Sequence, residues 1–229
     1  MTPGDNKETR RVFIVDDHAL VREWLTNLIN QQTGLAVCGQ AATAAEAIAG
    51  VETSRPEVAV VDISLKDSSG IELIRDLKHS HPELQVLVLS MHDESLYAER
   101  ALRAGAKGYI MKRETTRKVI EAIRTILDGR FYLSEAMAQS ITTEFIQGRT
   151  LATHSPIEQL SDRELEIFDL LGQGVGTRRI AETLGVSIKT VQAHCARAKE
   201  KLKLTSATEL VREAVRHCER QREHAAGRM

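Results

Sequence analysis

Four short apolar runs, each ending directly in a carboxylate, a hydroxyl or an ammonium, constrain this chain more than any other feature. Val12-Phe13-Ile14-Val15 leads into Asp16 and Asp17, and Val58-Ala59-Val60-Val61 leads into Asp62. Val86-Leu87-Val88-Leu89 leads into Ser90, and Gly108-Tyr109-Ile110-Met111 into Lys112. Val58 to Val61 is apolar without a break, as a strand buried on both faces must be. In an open parallel sheet the ligand crevice lies outside the carboxyl ends of the strands. Three acids, a hydroxyl and an ammonium therefore meet at one edge. Clustered carboxylates repel one another unless a hard cation sits among them, and Mg²⁺ with oxygen ligands and retained waters meets that need. A divalent ion beside a carboxylate, a lysine and a hydroxyl is a site for holding a phosphoryl group.

Strand candidates at 11–15, 35–39, 58–61, 86–90 and 107–111 alternate with helix candidates at 18–31, 43–53, 70–79, 94–105 and 115–128. Repeats of that length imply right-handed crossovers and a doubly wound α/β layer, a parallel sheet with helices on both faces. Gly34, Pro56, Gly70, Pro82 and Gly105 punctuate the connections. The pattern changes after Gly129. Ser134 can cap a helix carrying Met137, Ile141 and Phe145, and the mixture from Gly148 to Pro156 reads as a linker. Beyond it everything has helical period. Ser161 and Glu164 stand three apart as a capping box before Leu165, Ile167, Phe168, Leu170 and Leu171. A short helix from 177 to 184, the turn Gly185-Val186 and a longer helix from Ser187 make a helix-turn-helix. A last amphipathic helix covers 206–217. The expected organisation is a first domain at 1–130, a linker with a helix at 131–157, a small all-α domain at 158–220 and a disordered tail at 221–229.

The whole chain holds 31 basic and 32 acidic residues, so global charge selects no partner. No apolar run approaches the roughly 18 residues of a membrane span, and the polar stretch Met1 to Arg11 lacks the core of a signal peptide. Cys38, Cys195 and Cys218 are odd in number and far apart, which reads as free thiols in a reducing cytoplasm. Charge is local instead. Between Gly176 and Lys203, seven basic residues (Arg178, Arg179, Lys189, Arg197, Lys199, Lys201, Lys203) face Glu182 and Glu200, a balance of +5 in a chain of net −1. A solvated helix face can carry such a run, but joined to a helix-turn-helix it reads as a footprint for a phosphate backbone. The first turn of the second helix reaches base edges, which makes Lys189, Thr190, Gln192 and Ala193 candidates there. Gln192 suits an adenine edge, while Thr177, Arg178, Arg197 and Lys201 suit the backbone of double-stranded DNA.

These pieces resemble a known family. The stretch from Arg11 to Ala214 is similar to two-component response regulators of the NarL/FixJ type, which join a receiver domain to a LuxR-like DNA-binding domain. The telling residues are Asp16-Asp17-His18 with Val21-Arg22, Val60-Val61-Asp62 with Gly70, then Ser90, Gly105 to Tyr109, and Lys112. In the second part they are Leu160-Ser161-Arg163-Glu164, Ile180-Ala181, Leu184 to Ser187, Thr190-Val191-His194 and Lys201-Leu202. The resemblance implies a flavodoxin-like five-stranded receiver followed by the helix-turn-helix domain. It implies that Asp62 takes a phosphoryl group from a sensor histidine kinase. Asp17, Asp62 and the Ser64 carbonyl would bind Mg²⁺ directly and Asp16 through water, while Ser90, Tyr109 and Lys112 would sense the phosphate. The chain departs from the family at Lys66, where proline is usual, with Asp67, Ser68 and Ser69 filling the gap to Gly70. It departs again at Gly176-Thr177-Arg178-Arg179 and at Gln192, Ala193 and Ala196, which bears on DNA sequence preference.

Single residues have bland readings. An acid before a helix can be no more than an N-cap, but one would serve, and Asp16, Asp17 and Asp62 together exceed that need. Tyr109 can be an ordinary strand aromatic. His18 reads as structural or solvent-facing, and His194 as packing. The leading function is a cytoplasmic, phosphorylation-controlled transcription factor without enzymatic activity, dimeric when phosphorylated. Its dimer contact is assigned to the stripe Ala207, Leu210, Val211, Ala214 and Val215. The competing readings are an Mg²⁺-dependent phosphohydrolase working through an aspartyl-phosphate, and a transcription factor with a vestigial acidic site. Adjacent Asp16-Asp17, where such hydrolases carry Asp-x-Asp, and the DNA-binding half weigh against the hydrolase.

Overall fold

The computed structural model of the chain describes residues 9–66, 68–92, 94–114, 116–146 and 156–226. Asp67, residues 148–155 of the expected linker and the end of the expected tail lie outside them. Five parallel strands, β1 (Arg10–Val15), β2 (Leu35–Ala41), β3 (Val58–Val61), β4 (Gln85–Ser90) and β5 (Gly108–Met111), form one sheet in the order β2-β1-β3-β4-β5. Between them run α1 (Ala19–Asn30), α2 (Ala44–Ser54), α3 (Gly70–Ser80), α4 (Glu94–Arg103) and α5 (Thr116–Leu127). The strand order reverses beside β1, and at such a switch point the crossovers on either side diverge and open a crevice. Asp16, Asp17 and Asp62 follow the two strands that flank it.

The strands alternate their side chains between two buried layers. Val12 and Ile14 of β1, Val58 and Val60 of β3 and Leu87 and Leu89 of β4 pack with Leu25 and Ile29 of α1 and Val119, Ile123 and Ile126 of α5. The register of β1 against β2 shifts between Val12 and Phe13. There the Phe13 ring occupies space that glycines leave open, since a Cβ at Gly39 or at Gly50 would come within 2.5 Å of it. The chain leaving α5 returns to the sheet, which the sequence did not suggest. Tyr132 pairs with Gly108 in a parallel bridge, its amide donating to Lys107 O at 2.9 Å and its carbonyl accepting from Tyr109 N at 3.2 Å. Ser134 then caps α6 (Glu135–Ile146) by accepting from Met137 N at 3.1 Å.

The chain divides into two compact units at Ala138, inside α6. The second contains a 3-10 turn (Pro156–Gln159), α7 (Asp162–Gly172), α8 (Thr177–Thr183), α9 (Ile188–Lys201) and α10 (Ala207–Ala226). The capping box at Ser161 and Glu164 forms as expected. The turn after α8 has Gly185 at φ +64°, with Gly185 N donating to Glu182 O at 3.4 Å and Val186 N to Ala181 O at 3.0 Å. That is a Schellman closure, and it needs a left-handed residue that glycine supplies at little cost. α7 and α10 pack so closely that a Cβ on Gly172 would lie 2.5 Å from both Ala214 O and Cys218 Sγ.

Two expectations change here. Leu210 and Ala214 of the dimer stripe are fully buried in the second unit's own core, because α10 lies flush on α7, whereas Ala207 and Val211 face outward. The helix expected to end at 217 continues to Ala226, so most of the segment 221–229 is helical rather than disordered. Its charged sequence carries no glycine or proline before Gly227 to stop it. All three cysteines are free. Among the described residues, no helix is long and apolar enough to cross a membrane.

Candidate functional site

The backbone aims the acidic site. Asp62 N donates to Val15 O at 2.8 Å and Lys112 N to Ser90 O at 2.7 Å, so both residues continue the sheet ladders one step past the strand ends. Asp16 N donates to Ala41 O at 3.1 Å, and Asp16 O accepts from Arg22 Nη1 at 2.6 Å. Gly70 closes the far side. A Cβ there would stand 2.2 Å from Asp62 O, so only glycine lets α3 begin against the strand end.

Asp16 and Asp62 are almost wholly buried, and Lys112 Nζ lies 2.6 Å from Oδ2 of each. Burial pushes the Asp62 carboxyl up from its ordinary value, Lys112 pulls it back, and the neighbouring charge of Asp16 adds to the rise. Burial also works against the charge on Lys112, but Asp62 and Asp16 outweigh it and hold the ammonium above its ordinary value. One cation thus bridges two of the three carboxylates.

Asp17 is the third. Its side chain is 6% exposed, and Lys66 Nζ lies 3.6 Å from its Oδ2. His18 Nδ1 is 2.6 Å from Oδ1, yet that buried oxygen makes no hydrogen bond; the imidazole is close without being aligned. His18, expected to be structural or solvent-facing, has its ring half in solvent and half on the acids, with Nδ1 also 3.3 Å from Asp16 Oδ1. Ligand atoms of Asp16, Asp17, His18 and Asp62 all lie within 4.8 Å of one another. A buried, unsatisfied carboxylate oxygen in a cluster of three acids fits a hard divalent cation.

The expected sensing residues gather at the same edge. Ser90 is fully buried, and its Oγ accepts from His92 N at 3.1 Å. Tyr109 is buried, its hydroxyl donating to His92 O at 3.0 Å. Ser64 N donates to Asp62 Oδ1 at 3.2 Å, and Ser64 Oγ lies 2.6 Å from His92 Nε2. His92 belongs to no pattern in the sequence, yet it touches three residues of the site.

In the second unit, α9 buries Val191 and Ala198 and exposes Lys189, Thr190, Gln192, Ala193 and Arg197 on the opposite face. Arg178 is exposed and Thr177 half-buried at the start of α8. Arg163 ties the turn to α7, donating to Glu166 Oε2 at 2.7 Å and to Leu184 O at 3.0 Å. Lys201 behaves differently from the other basic candidates. Its Nζ donates to Glu164 Oε2 at 2.7 Å. Burial works against the Glu164 charge, but Lys201 and Ser161 outweigh it and hold the carboxyl below its ordinary value. Lys201 is thus tied to the cap of α7. Burial, reinforced by Arg197, pushes His194 down and favours its neutral form, which suits packing.

Residues 12–124 match the response regulator receiver domain, and residues 158–214 match the luxR family of bacterial regulatory proteins. The oxygen regulatory protein NreC of Staphylococcus carnosus is 37% identical over 210 residues, covering 90% of this chain and 97% of that protein. NreC of Staphylococcus aureus strain MRSA252 is 38% identical over 210 residues, with the same coverage. A LuxR-family two-component response regulator from Aurantimonas sp. SI85-9A1 superposes with a TM-score of 0.56 at 36% identity, over 61% of this chain and 99% of that one. RcsB of Salmonella enterica serovar Typhimurium, bound to promoter rprA in the presence of the phosphomimetic BeF₃⁻, shares the fold. Its TM-score is 0.59 at 23% identity, over 90% of this chain and 98% of that one. The chain belongs to the response regulators that join a receiver domain to a LuxR-family DNA-binding domain, proteins that bind DNA and regulate transcription.

The Asp62 shift has a consequence for stability. A carboxyl whose folded pKa is raised favours folding below its unfolded pKa, and that contribution is lost as pH rises through the folded pKa. At pH 7.5 with a chelator, Asp62→Asn should therefore melt above the parent chain. The difference should shrink as pH falls toward the acidic range. Mg²⁺ should raise the parent's melting temperature more than the variant's. A variant that melts below the parent at pH 7.5 would show that charged Asp62 stabilises the site.

Proposed function

We propose that Asp62 accepts a phosphoryl group from a phosphohistidine of a sensor histidine kinase, and that this controls DNA binding by residues 158–220 and transcription of target genes. The observation that carries the proposal is the pairing of Lys112 with Asp16 and Asp62 beside Asp17, whose buried Oδ1 makes no hydrogen bond. Asp62, with its neighbours neutralised, supplies an oxygen that attacks phosphorus while the P–N bond to the kinase histidine breaks. Asp17, Asp62 and the Ser64 carbonyl would hold Mg²⁺ directly, and Asp16, paired with Lys112, would act through water. When bound, Mg²⁺ neutralises charge developing on the phosphoryl oxygens. Lys112 and Ser90 then hold the new anion through charge-assisted hydrogen bonds, and Tyr109 responds from its place on β5.

Lys189, Thr190, Gln192 and Ala193 face base edges, and Thr177, Arg178 and Arg197 hold the backbone of double-stranded DNA. Lys201 serves chiefly the α7 cap. Dimerisation on phosphorylation supplies a second copy and so the affinity that one helix-turn-helix lacks. Ala207 and Val211 remain on the α10 face that such a contact can use. The chain acts in the cytoplasm as a regulator rather than as a phosphohydrolase, a reading supported by the LuxR-family DNA-binding domain joined to the acidic site.

Incubation with phosphoramidate and Mg²⁺ should add one phosphoryl group to the full chain by intact mass, and Asp62→Asn should abolish the addition. Labelling of that variant at the parent's level would remove Asp62 from its role. In DNA binding, log affinity should fall with log salt by about 0.9 for each phosphate neutralised. Arg197→Ala should flatten that slope by about one per bound subunit while weakening all sequences alike. An unchanged slope would take Arg197 off the backbone.

A further inference from the structure

The loop between β3 and α3 carries a departure from the receiver pattern, Lys66 where proline is usual. Ile63 and Leu65 are buried, Ser64 and Ser69 pair in an antiparallel bridge, and Gly70 N donates to Ile63 O at 2.9 Å. The base of the loop is thereby fixed, and the alternation that buries Leu65 leaves Lys66 facing solvent. Its side chain is 59% exposed, yet Nζ reaches to 3.6 Å from Asp17 Oδ2. A proline has neither the reach nor the charge. The two lysines at the acids differ in kind. Lys112 is 9% exposed and stands 2.6 Å from both Asp16 and Asp62, so its charge is built into the site. Lys66 approaches from solvent on a flexible stem, and it can withdraw without stranding its own charge inside the protein.

We propose that Lys66 is a tethered counter-ion of Asp17 that competes with Mg²⁺ and so sets the Mg²⁺ concentration at which this receiver becomes able to accept a phosphoryl group. The inference rests on the reading of Asp17 as a direct Mg²⁺ ligand and adds what tunes that ligand. The two oxygens of Asp17 are used differently: Oδ2 faces Lys66, and the buried Oδ1 makes no hydrogen bond. An ammonium at Oδ2 neutralises part of the charge that a divalent ion on the same carboxylate needs, and it sets a like charge beside that ion. Ser64, whose carbonyl belongs to the same ligand set, stands two residues before Lys66, so the lysine and the metal site share one short piece of chain. The effect is modest by its nature, because an exposed ion pair is worth a factor of about two to five in an equilibrium constant. The bland alternative is a solvated surface lysine whose pairing contributes nothing measurable. The two readings differ in what a change of charge at this position does to metal affinity.

Mn²⁺ serves as the probe, its binding to the full chain read from the loss of the free-ion EPR signal, with Mg²⁺ as competitor. Lys66→Gln and Lys66→Ala should each tighten binding about two- to fivefold. Lys66→Glu should tighten it further, and Lys66→Arg, which keeps the charge, should stay at the parent's value. Raising the salt to about 1 M should shrink the gap between the parent and Lys66→Gln, because exposed charges are then screened over roughly 3 Å. A lysine that only shaped the loop would show no such dependence. With phosphoramidate, the Mg²⁺ concentration for half-maximal labelling should fall in Lys66→Gln by the same factor as the metal affinity rises. Equal affinity in the parent, Lys66→Gln and Lys66→Glu would overturn the proposal, and so would tightening in Lys66→Arg as large as in Lys66→Gln. Asp17→Asn separates the two levels of the argument. If that variant binds Mn²⁺ as tightly as the parent, the reading of Asp17 as a ligand fails and the proposal with it. If it loses affinity while the changes at Lys66 have no effect, the proposal alone is overturned.

Discussion

A single ammonium between two buried carboxylates organises the receiver. Lys112 stands 2.6 Å from both Asp16 and Asp62, and removing it would leave two like charges facing each other away from water. Breaking a buried pair by removing one partner typically costs about 3–5 kcal/mol, so the ends of β1, β3 and β5 are held in register by charge as well as by backbone. The arrangement is also incomplete. Asp17 keeps a buried oxygen without a hydrogen bond, and burial pushes the Asp62 carboxyl above its ordinary value. Three clustered carboxylates share the buried Lys112 and the exposed Lys66, an acidic excess that suits the uptake of a further cation.

That edge was legible in the sequence because it follows from chain direction. Parallel strands deliver their last residues to the same side, so Asp16, Asp17, Asp62, Ser90 and Lys112 could be brought together from order alone. The helix-turn-helix was legible for a different reason. Its signals are local: a capping box at Ser161 and Glu164, a glycine in the turn at Gly185, and a serine cap at Ser187 that accepts from Thr190 N. What escaped depends on distant partners. His92 is a turn residue whose importance lies in what surrounds it. Tyr132 sits after α5 in a stretch without strand pattern, yet the open edge of β5 offered it unpaired backbone groups.

Two surface assignments show the same limit. Leu210, Val211 and Ala214 recur at helical spacing, and periodicity says that a face is buried without saying against what. α7 claims Leu210 and Ala214, because Gly172 allows a backbone approach that the sequence pattern of α10 does not disclose. Lys201 reads as one more cation in a basic run until Glu164 is placed beside it. Arg197, by contrast, stays on the open face of α9, where a charge can neutralise a phosphate without first leaving a partner inside the protein.

Charge balance at the sheet edge and charge display on α9 are separate achievements of the two units, and the regulatory account requires them to be coupled. The most direct measurement is the affinity of the full chain for its promoter DNA in Mg²⁺, with and without beryllofluoride, for the parent and for Asp62→Asn. Beryllofluoride can seat only on an ionised acceptor carboxylate, so it reports the Asp62 state without a kinase. Beryllofluoride should tighten binding by the parent and leave Asp62→Asn unchanged. Equal affinity for the parent in both conditions, once beryllofluoride is shown to occupy Asp62, would contradict control of DNA binding from this site.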